Sequence, residues 1–233
     1  MARTSNNCLV VFSGGQDSTT CLYWARAKFK NVLAVTFNYQ QKHILELTSA
    51  KKIAKLTGVK HIILKIGNVF GGNSPLVNPK YKVKEVNLAA TAQNELQDTF
   101  VPGRNILFLS LAGSVAYINN ISDIVIGVSQ EDYGGYPDCR QAFINSMQET
   151  LSTGLAKNIT LHTPLINLNK CQTVELAQRI PECFEALGYS TTCYNGVFPP
   201  CNTCHACVLR AKGFKEAQSI DPLISRSLIY QNI

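Results

Sequence analysis

Two clusters in this chain have the residue types and spacing that chemistry needs. The first is Ser13-Gly14-Gly15-Gln16-Asp17-Ser18-Thr19-Thr20, small and polar with adjacent glycines. Such a run can cradle a phosphate. Gly14 and Gly15 are free to take positive φ and let backbone amides approach an anion, and Ser13, Ser18, Thr19 and Thr20 add hydroxyl donors. The run lacks the lysine of G-x-x-x-x-G-K-[ST] and the spacing of G-x-G-x-x-G, so it is neither a P-loop nor a dinucleotide fingerprint. The plainer alternative is a glycine turn that only joins two elements.

The second cluster is Cys193, Cys201, Cys204 and Cys207, whose overlapping C-x-x-C steps share Cys204. Each step places a pair of thiolates on one cation and Cys193 completes a tetrahedron, which predicts one structural zinc with Zn–S of about 2.3 Å. A set of four thiolates leaves no open position for Lewis-acid chemistry. An iron–sulfur cluster is the competing reading, since it too is held by cysteines. A redox dithiol fits less well because the steps overlap, and His205 reads as a bystander. The chain has nine cysteines, and Cys8, Cys21, Cys139, Cys171 and Cys183 are scattered. In a cytosolic protein such clustering points to metal rather than disulfides.

The elements that position these residues follow from apolar periodicity. Cys8 to Phe12 reads as a strand buried on both faces, and Cys21, Leu22, Ala25 and Phe29 have helical spacing. The phosphate loop therefore sits at a strand-to-helix junction, where free amides of the first turn and the helix dipole favour an anion. Further strands are expected over residues 32–37, 61–66, 123–128 and 159–165. Helical stretches separate them, long enough for right-handed parallel crossovers. The polar residues 38–43 then fall at the carboxyl edge, where open α/β sheets bind ligands. Asn169 and Gln172 predict a capping box for a helix that Pro181 stops. The expected fold is α/β, a doubly wound parallel five-stranded sheet over residues 1–180 with a small four-cysteine segment over residues 181–233.

Residues 67–103 carry glycines and prolines without a period and read as a functional lid or as an insertion. They lead into Pro102-Gly103-Arg104-Asn105, which places Arg104 and Asn105 at a helix N-terminus suited to an anion. After the strand at 123–128, Tyr133, Tyr136, Asp138, Cys139 and Arg140 gather at its carboxyl end. Tyr133 or Tyr136 can stack on a heteroaromatic ring and Asp138 can accept its N–H edge. The alternative for Asp138 is to cap the next helix.

A chain of 233 residues, 45% hydrophobic, is an ordinary globular size and composition. No apolar run reaches membrane-span length, and residues 1–7 lack the core of a signal peptide, so a cytoplasmic location is expected. The net charge of +7 falls to about +5 if four thiolates hold zinc. No long basic run suggests nucleic acid.

These motifs together resemble the 7-cyano-7-deazaguanine synthase family within the PP-loop ATP pyrophosphatases. F-S-G-G-Q-D-S-T-T-C-L at 12–22, F-V-P-G-R-N at 100–105, G-Y-P-D-C-R at 135–140, T-C-Y-N-G at 192–196 and the cysteine triplet match in order. The family pattern D-Y-G-Q-R-H is N-Y-Q-Q-K-H here at 38–43, losing a carboxylate and a glycine. The resemblance implies a fold of the adenine-nucleotide α-hydrolase type and ATP-dependent conversion of 7-carboxy-7-deazaguanine and free ammonia to the nitrile. It implies ATP and Mg²⁺ binding along Phe12, Ser13, Gly14, Gly15, Gln16, Asp17, Ser18, Thr19, Thr20, Cys21 and Leu22. Ser13, Asp17, Ser18 and Arg104 are the expected catalytic residues. Arg104, Asn105, Tyr136, Asp138 and Arg140 are the expected substrate contacts, and a homodimer without stable nucleic acid is expected. A PP-loop tRNA-thiolating enzyme and a zinc-bearing nucleic-acid module are the alternatives.

Overall fold

The computed structural model describes residues 6–40, 44–70, 74–78, 80–85, 99–130 and 136–231. Gln41, Lys42, His43, Tyr133 and much of the 67–103 stretch lie outside the described residues. Strands β1 (Asn7–Val11), β2 (Asn31–Asn38), β3 (Lys60–Lys65), β4 (Asp123–Ile126) and β5 (Thr160–His162) form one five-stranded sheet in the order β3-β2-β1-β4-β5. Every pairing is parallel, with Leu9 beside Leu33 on one side and Ile124 on the other. The expected doubly wound sheet is thus present, and its winding reverses between β1 and β4. That reversal opens a crevice at the strands' carboxyl ends.

Alternation along β1 explains the two-layered core. Leu9, Leu33 and Ile124 pack on one face with Leu109, Ala112 and Ala116 of α3 (Arg104–Ile118) and Ile144, Met147 and Leu151 of α4 (Gln141–Gly154). Cys8, Val10 and Phe12 point the other way. They meet Cys21 and Leu22 of α1 (Gln16–Lys28), Ala50 and Ile53 of α2 (Ile44–Thr57) and Val174 and Ala177 of α5 (Lys170–Arg179). Cys183 of α6 (Cys183–Ala186) and Phe214 of α7 (His205–Glu216) join that same core, so residues on both sides of position 180 share it. Helix α8 (Pro222–Gln231) closes the described chain.

The capping box is formed: Asn169 accepts from the Gln172 amide at 2.9 Å, and Gln172 Oε1 accepts from the Asn169 amide at 3.0 Å. Two strands are shorter than their apolar runs. β4 ends at Ile126 because α1 lies against Gly127, where an added Cβ would come within 3.1 Å of Ser18 N. β5 pairs through Thr160–His162 only, and Pro164 beyond it has no N–H to continue a ladder.

Candidate active site and metal centre

The phosphate loop is built from β1 outward. Past Val11 the chain stays on the sheet through Phe12 N–H donating to Val35 O at 2.8 Å, and Thr36 Oγ1 donates to Phe12 O. Ser13 and Ser18 then close the loop. Ser13 N–H donates to Ser18 Oγ at 3.2 Å, the hydroxyls lie 3.0 Å apart, and Ser18 Oγ donates to Gly15 O at 3.2 Å. Gly15 is the N-cap of α1 and offers no side-chain cap, so the free amides of the first turn remain for an anion.

The glycines divide the work differently from the sequence expectation. Gly14 alone takes positive φ, +86°, while Gly15 is extended at φ −77°. A Cβ on Gly14 would lie 2.6 Å from Ala50 N and 2.7 Å from Glu46 O, so its bareness admits the backbone of α2. Gly14→Ala is expected to cost at least about 1–2 kcal/mol from the left-handed conformation alone. The clash adds a displacement of α2, read as a lowered melting temperature and weaker ATP binding.

Only part of the run faces the crevice. A cavity of about 260 Å³ is lined by Phe12, Ser13, Asp17 and Ser18 together with Arg104, Asn105 and Tyr136. Thr19, Thr20, Cys21 and Leu22 turn into the core, and Thr20 Oγ1 donates to Gln16 O at 3.1 Å. The 100° step of a helix carries positions 19 to 22 away from the face that holds position 18. The expected hydroxyl donors Thr19 and Thr20 are therefore not at the cavity. Gln16 is 1% exposed with both amide atoms unpartnered.

Charge around the loop comes from afar. Lys170 Nζ, on α5, contacts Asp17 Oδ2 at 2.7 Å, while Asp17 Oδ1 is buried without a partner. A Cβ on Gly213 would lie 2.7 Å from Lys170 Cβ, so this glycine lets α7 close against the lysine's helix.

Arg104 opens α3 behind Gly103, which is left-handed at φ +77° and gives no side-chain cap, so a second helix end faces the cavity. Burial works against the guanidinium's charge. Tyr39, which hydrogen-bonds it, and Asp138, Cys139 and Tyr194 outweigh that and hold it above its usual range. Asn105 fixes the helix end: its N–H donates to Asp138 Oδ2 at 3.4 Å and its Nδ2 to Asp138 O at 3.1 Å. Asp138 is thus buried behind the wall and does not cap α4, whose N-cap is Arg140 with no side-chain bond. Arg140 itself is exposed and outside the cavity lining.

Aromatic rings form the rest of the cavity. Tyr136 stacks on Phe100 with centroids 5.5 Å apart, and its hydroxyl meets Thr99 Oγ1 at 2.6 Å. Phe37 and Phe108 stack at 4.4 Å. Tyr39, Glu46, Tyr194 and His205 also line it. Sequence reading missed Glu46, Lys170 and Tyr194 as site residues and treated His205 as idle. The local signal for Glu46 was a helix-face position, indistinguishable from a solvated charge.

The candidate metal centre stands beside this cavity. The Sγ atoms of Cys193, Cys201, Cys204 and Cys207 all lie within 4.8 Å of one another. Cys201 and Cys207 are 3.9 Å apart, close to the roughly 3.8 Å edge of a tetrahedron with Zn–S of about 2.3 Å. Amides of Tyr194 and Cys204 and Nδ2 of Asn195 each approach a sulfur at 3.4 Å, the donors that thiolates accept. The set could hold a metal ion. Cys204 caps α7, so the centre orients the helix that carries His205 and Leu209 into the cavity.

A buried clasp ties this segment to the phosphate loop. Arg210 donates Nε to Asp221 Oδ2 at 2.6 Å and Nη2 to Oδ1 at 2.8 Å. Its remaining N–H groups reach Ser190 Oγ, Thr192 Oγ1 and Leu187 O at 2.8, 2.9 and 3.0 Å. Between the anchored residues, Thr191 N–H donates to Gly14 O at 3.0 Å.

Comparison with known proteins agrees with this architecture. The family model described as "Queuosine biosynthesis protein QueC" matches residues 7–218. A protein of Chromobacterium violaceum named 7-cyano-7-deazaguanine synthase is 46% identical over 230 residues, covering 96% of this chain and 95% of its own. One of the same name from Lysinibacillus sphaericus is 47% identical over 212 residues, covering 89% and 94%. Among solved structures, the U34-tRNA thiolase NcsA of Methanococcus maripaludis, with its [4Fe-4S] cluster, aligns with a TM-score of 0.51 at 15% identity. The alignment covers 98% of this chain and 72% of that one. That likeness shows a shared fold. No helix among the described residues is long and apolar enough to cross a membrane.

Proposed function

The chain belongs to the QueC family of queuosine biosynthesis proteins, and on that premise we propose that it is a C–N-forming ligase making 7-cyano-7-deazaguanine from 7-carboxy-7-deazaguanine, ammonia and ATP. The observation that carries this reading is one cavity lined together by Ser13, Asp17 and Ser18 of the loop, by Arg104 and by aromatic rings.

A carboxylate does not react with ammonia until its oxygen becomes a leaving group. In the proposed sequence a carboxylate oxygen attacks the α-phosphorus of ATP and pyrophosphate departs. The loop amides and the Ser13 and Ser18 hydroxyls hold its charge in place through the transition state. Ammonia replaces AMP to give the amide. A second adenylation on the amide oxygen lets that oxygen leave with AMP, and loss of the nitrogen's protons gives the nitrile. Arg104 orients the acid and stabilises charge on the α-phosphate side. Phe37, Phe108 and Tyr136 line the cavity and offer apolar surface on which a flat heteroaromatic ring can pack. Asn105 and Asp138 act by fixing the end of α3. The unpartnered Asp17 Oδ1 suits Mg²⁺, which when bound neutralises the triphosphate.

The four thiolates suit a structural zinc, which offers no open position. On the same reading residues 1–180 are the nucleotide-binding unit and residues 181–233 the metal-bearing segment. The protein is then a cytoplasmic homodimer that acts on small molecules and binds no nucleic acid stably.

The test is product analysis on zinc-loaded protein. AMP and pyrophosphate are expected only when the deazapurine acid is present, amide is expected before nitrile, and added tRNA should not stimulate. ADP with orthophosphate, or sulfur transfer to tRNA, would overturn the assignment.

A further inference from the structure

The cavity holds a carboxylate that the proposed reaction has not yet used. Glu46 lies in the first turn of α2, and its carbonyl oxygen is one of the atoms that a Cβ on Gly14 would strike. It therefore sits directly over the phosphate loop, and it lines the same cavity as Ser13, Ser18 and Arg104. The neighbouring carboxylates are engaged otherwise. Asp17 contacts Lys170 at 2.7 Å, and Asp138 accepts the Asn105 amide at 3.4 Å.

Burial pushes the Glu46 carboxyl up to about 7, with the Arg104 guanidinium pulling it back. An ordinary glutamate near 4.3 is too weak a base to serve at neutral pH, whereas a group titrating near 7 exchanges its proton there. The charged and titratable groups nearest it are Tyr39, just past β2, and Arg104 from α3, and Asp17 from α1 lines the same cavity. Tyr136, Cys139, Tyr194 and His205 also line the cavity. Tyr39 is pushed up to about 12 by burial and stays protonated, Arg104 stays charged, and Asp17 has its lysine.

We propose that Glu46 is the proton acceptor for the ammonia that attacks the activated acid, an inference that rests on the reaction proposed above. The nitrogen lone pair forms the bond to the acyl carbon. The carbon–oxygen bond to AMP breaks and AMP leaves with its electron pair. One N–H proton passes to the Glu46 carboxylate, which returns it to water before the next step. The backbone of Glu46 meets the phosphate loop and its carboxylate feels the Arg104 guanidinium, which on the proposed reaction is where the activated acid forms.

Glu46→Gln keeps the shape and cannot accept the proton. Acid-dependent exchange of labelled pyrophosphate into ATP reads activation without ammonia, and amide formation reads the ammonia step. The variant is expected to exchange within about threefold of the parent while its kcat for amide formation falls about 100-fold. At fixed free ammonia the parent rate should drop as pH falls through about 7, and the residual rate of the variant should not. Equal losses in exchange and amide formation would assign Glu46 to nucleotide binding or to structure and overturn the proposal. So would undiminished amide formation, or a variant with the parent's pH profile. A parent that exchanges no label with the acid would remove the reaction itself, and the role of Glu46 with it.

Discussion

Replacing Cys204 with alanine is expected to release the metal and unmake one wall of the active-site cavity. Cys204 is 1% exposed, caps α7 and accepts the Tyr194 amide at 3.4 Å, so its sulfur joins the loop to the helix. The free energy of a structural zinc is of order 10–16 kcal/mol in finger peptides, and losing one of four ligands forfeits a large part of it. The buried residues packed at the centre are themselves mostly ligands, Cys193, Cys204 and Cys207 with Ala206, so little apolar core stands in for the ion. Metal analysis should fall from one ion per chain to none. Acid-dependent AMP formation should disappear, because Tyr194, His205 and Leu209 are held by this segment. A variant that retains its metal and melts like the parent would refute the structural role.

Arg210→Met is expected to destabilise the protein by about 3–5 kcal/mol, a large fraction of a typical domain's stability. Arg210 is 3% exposed and Asp221 9%, so the change leaves an uncompensated carboxylate inside the protein. Ser190 Oγ, Thr192 Oγ1 and the Leu187 carbonyl each lose one hydrogen bond at the same time. Arg210→Lys should recover little, since one ammonium cannot reach acceptors that a planar fork serves together. The effect should also reach catalysis: slack at residues 190–192 frees Gly14 O from the Thr191 amide, and ATP affinity should fall with stability. Urea unfolding with an unchanged slope measures the first effect, and nucleotide titration the second. A loss below about 1 kcal/mol would mean that the clasp contributes no more than an exposed ion pair.

Much of this architecture was legible because its causes are local. The apolar, β-branched runs of β1 and β2 and the helical spacing of Cys21, Leu22 and Ala25 each follow from a few adjacent residues, as does the capping pair Asn169 and Gln172. The metal set was readable for the same reason, since three of its cysteines span residues 201–207. What failed at this level was the direction of side chains. Thr19 and Thr20 carry the same hydroxyls as Ser18, but the helix turns them into the core. Asp138 reads as a ring acceptor or a cap of the next helix, and in the structure it instead accepts the Asn105 amide of α3.

By itself, then, the sequence determined the wound parallel sheet, the serine–glycine turn after its central strand and the gathering of four cysteines near the carboxyl end. The tertiary structure alone decided that the turn shares one cavity with Arg104 and with Tyr194, His205 and Leu209, which flank the cysteine set. Lys170 reaches Asp17 across 153 positions, and the amide of Thr191 reaches Gly14 O. Glu46 comes to rest over the loop because a glycine leaves space for its helix. Contacts of that range depend on how closely whole helices pack on the sheet. That closeness is set by the sum of buried surfaces, and no window of neighbouring residues contains it.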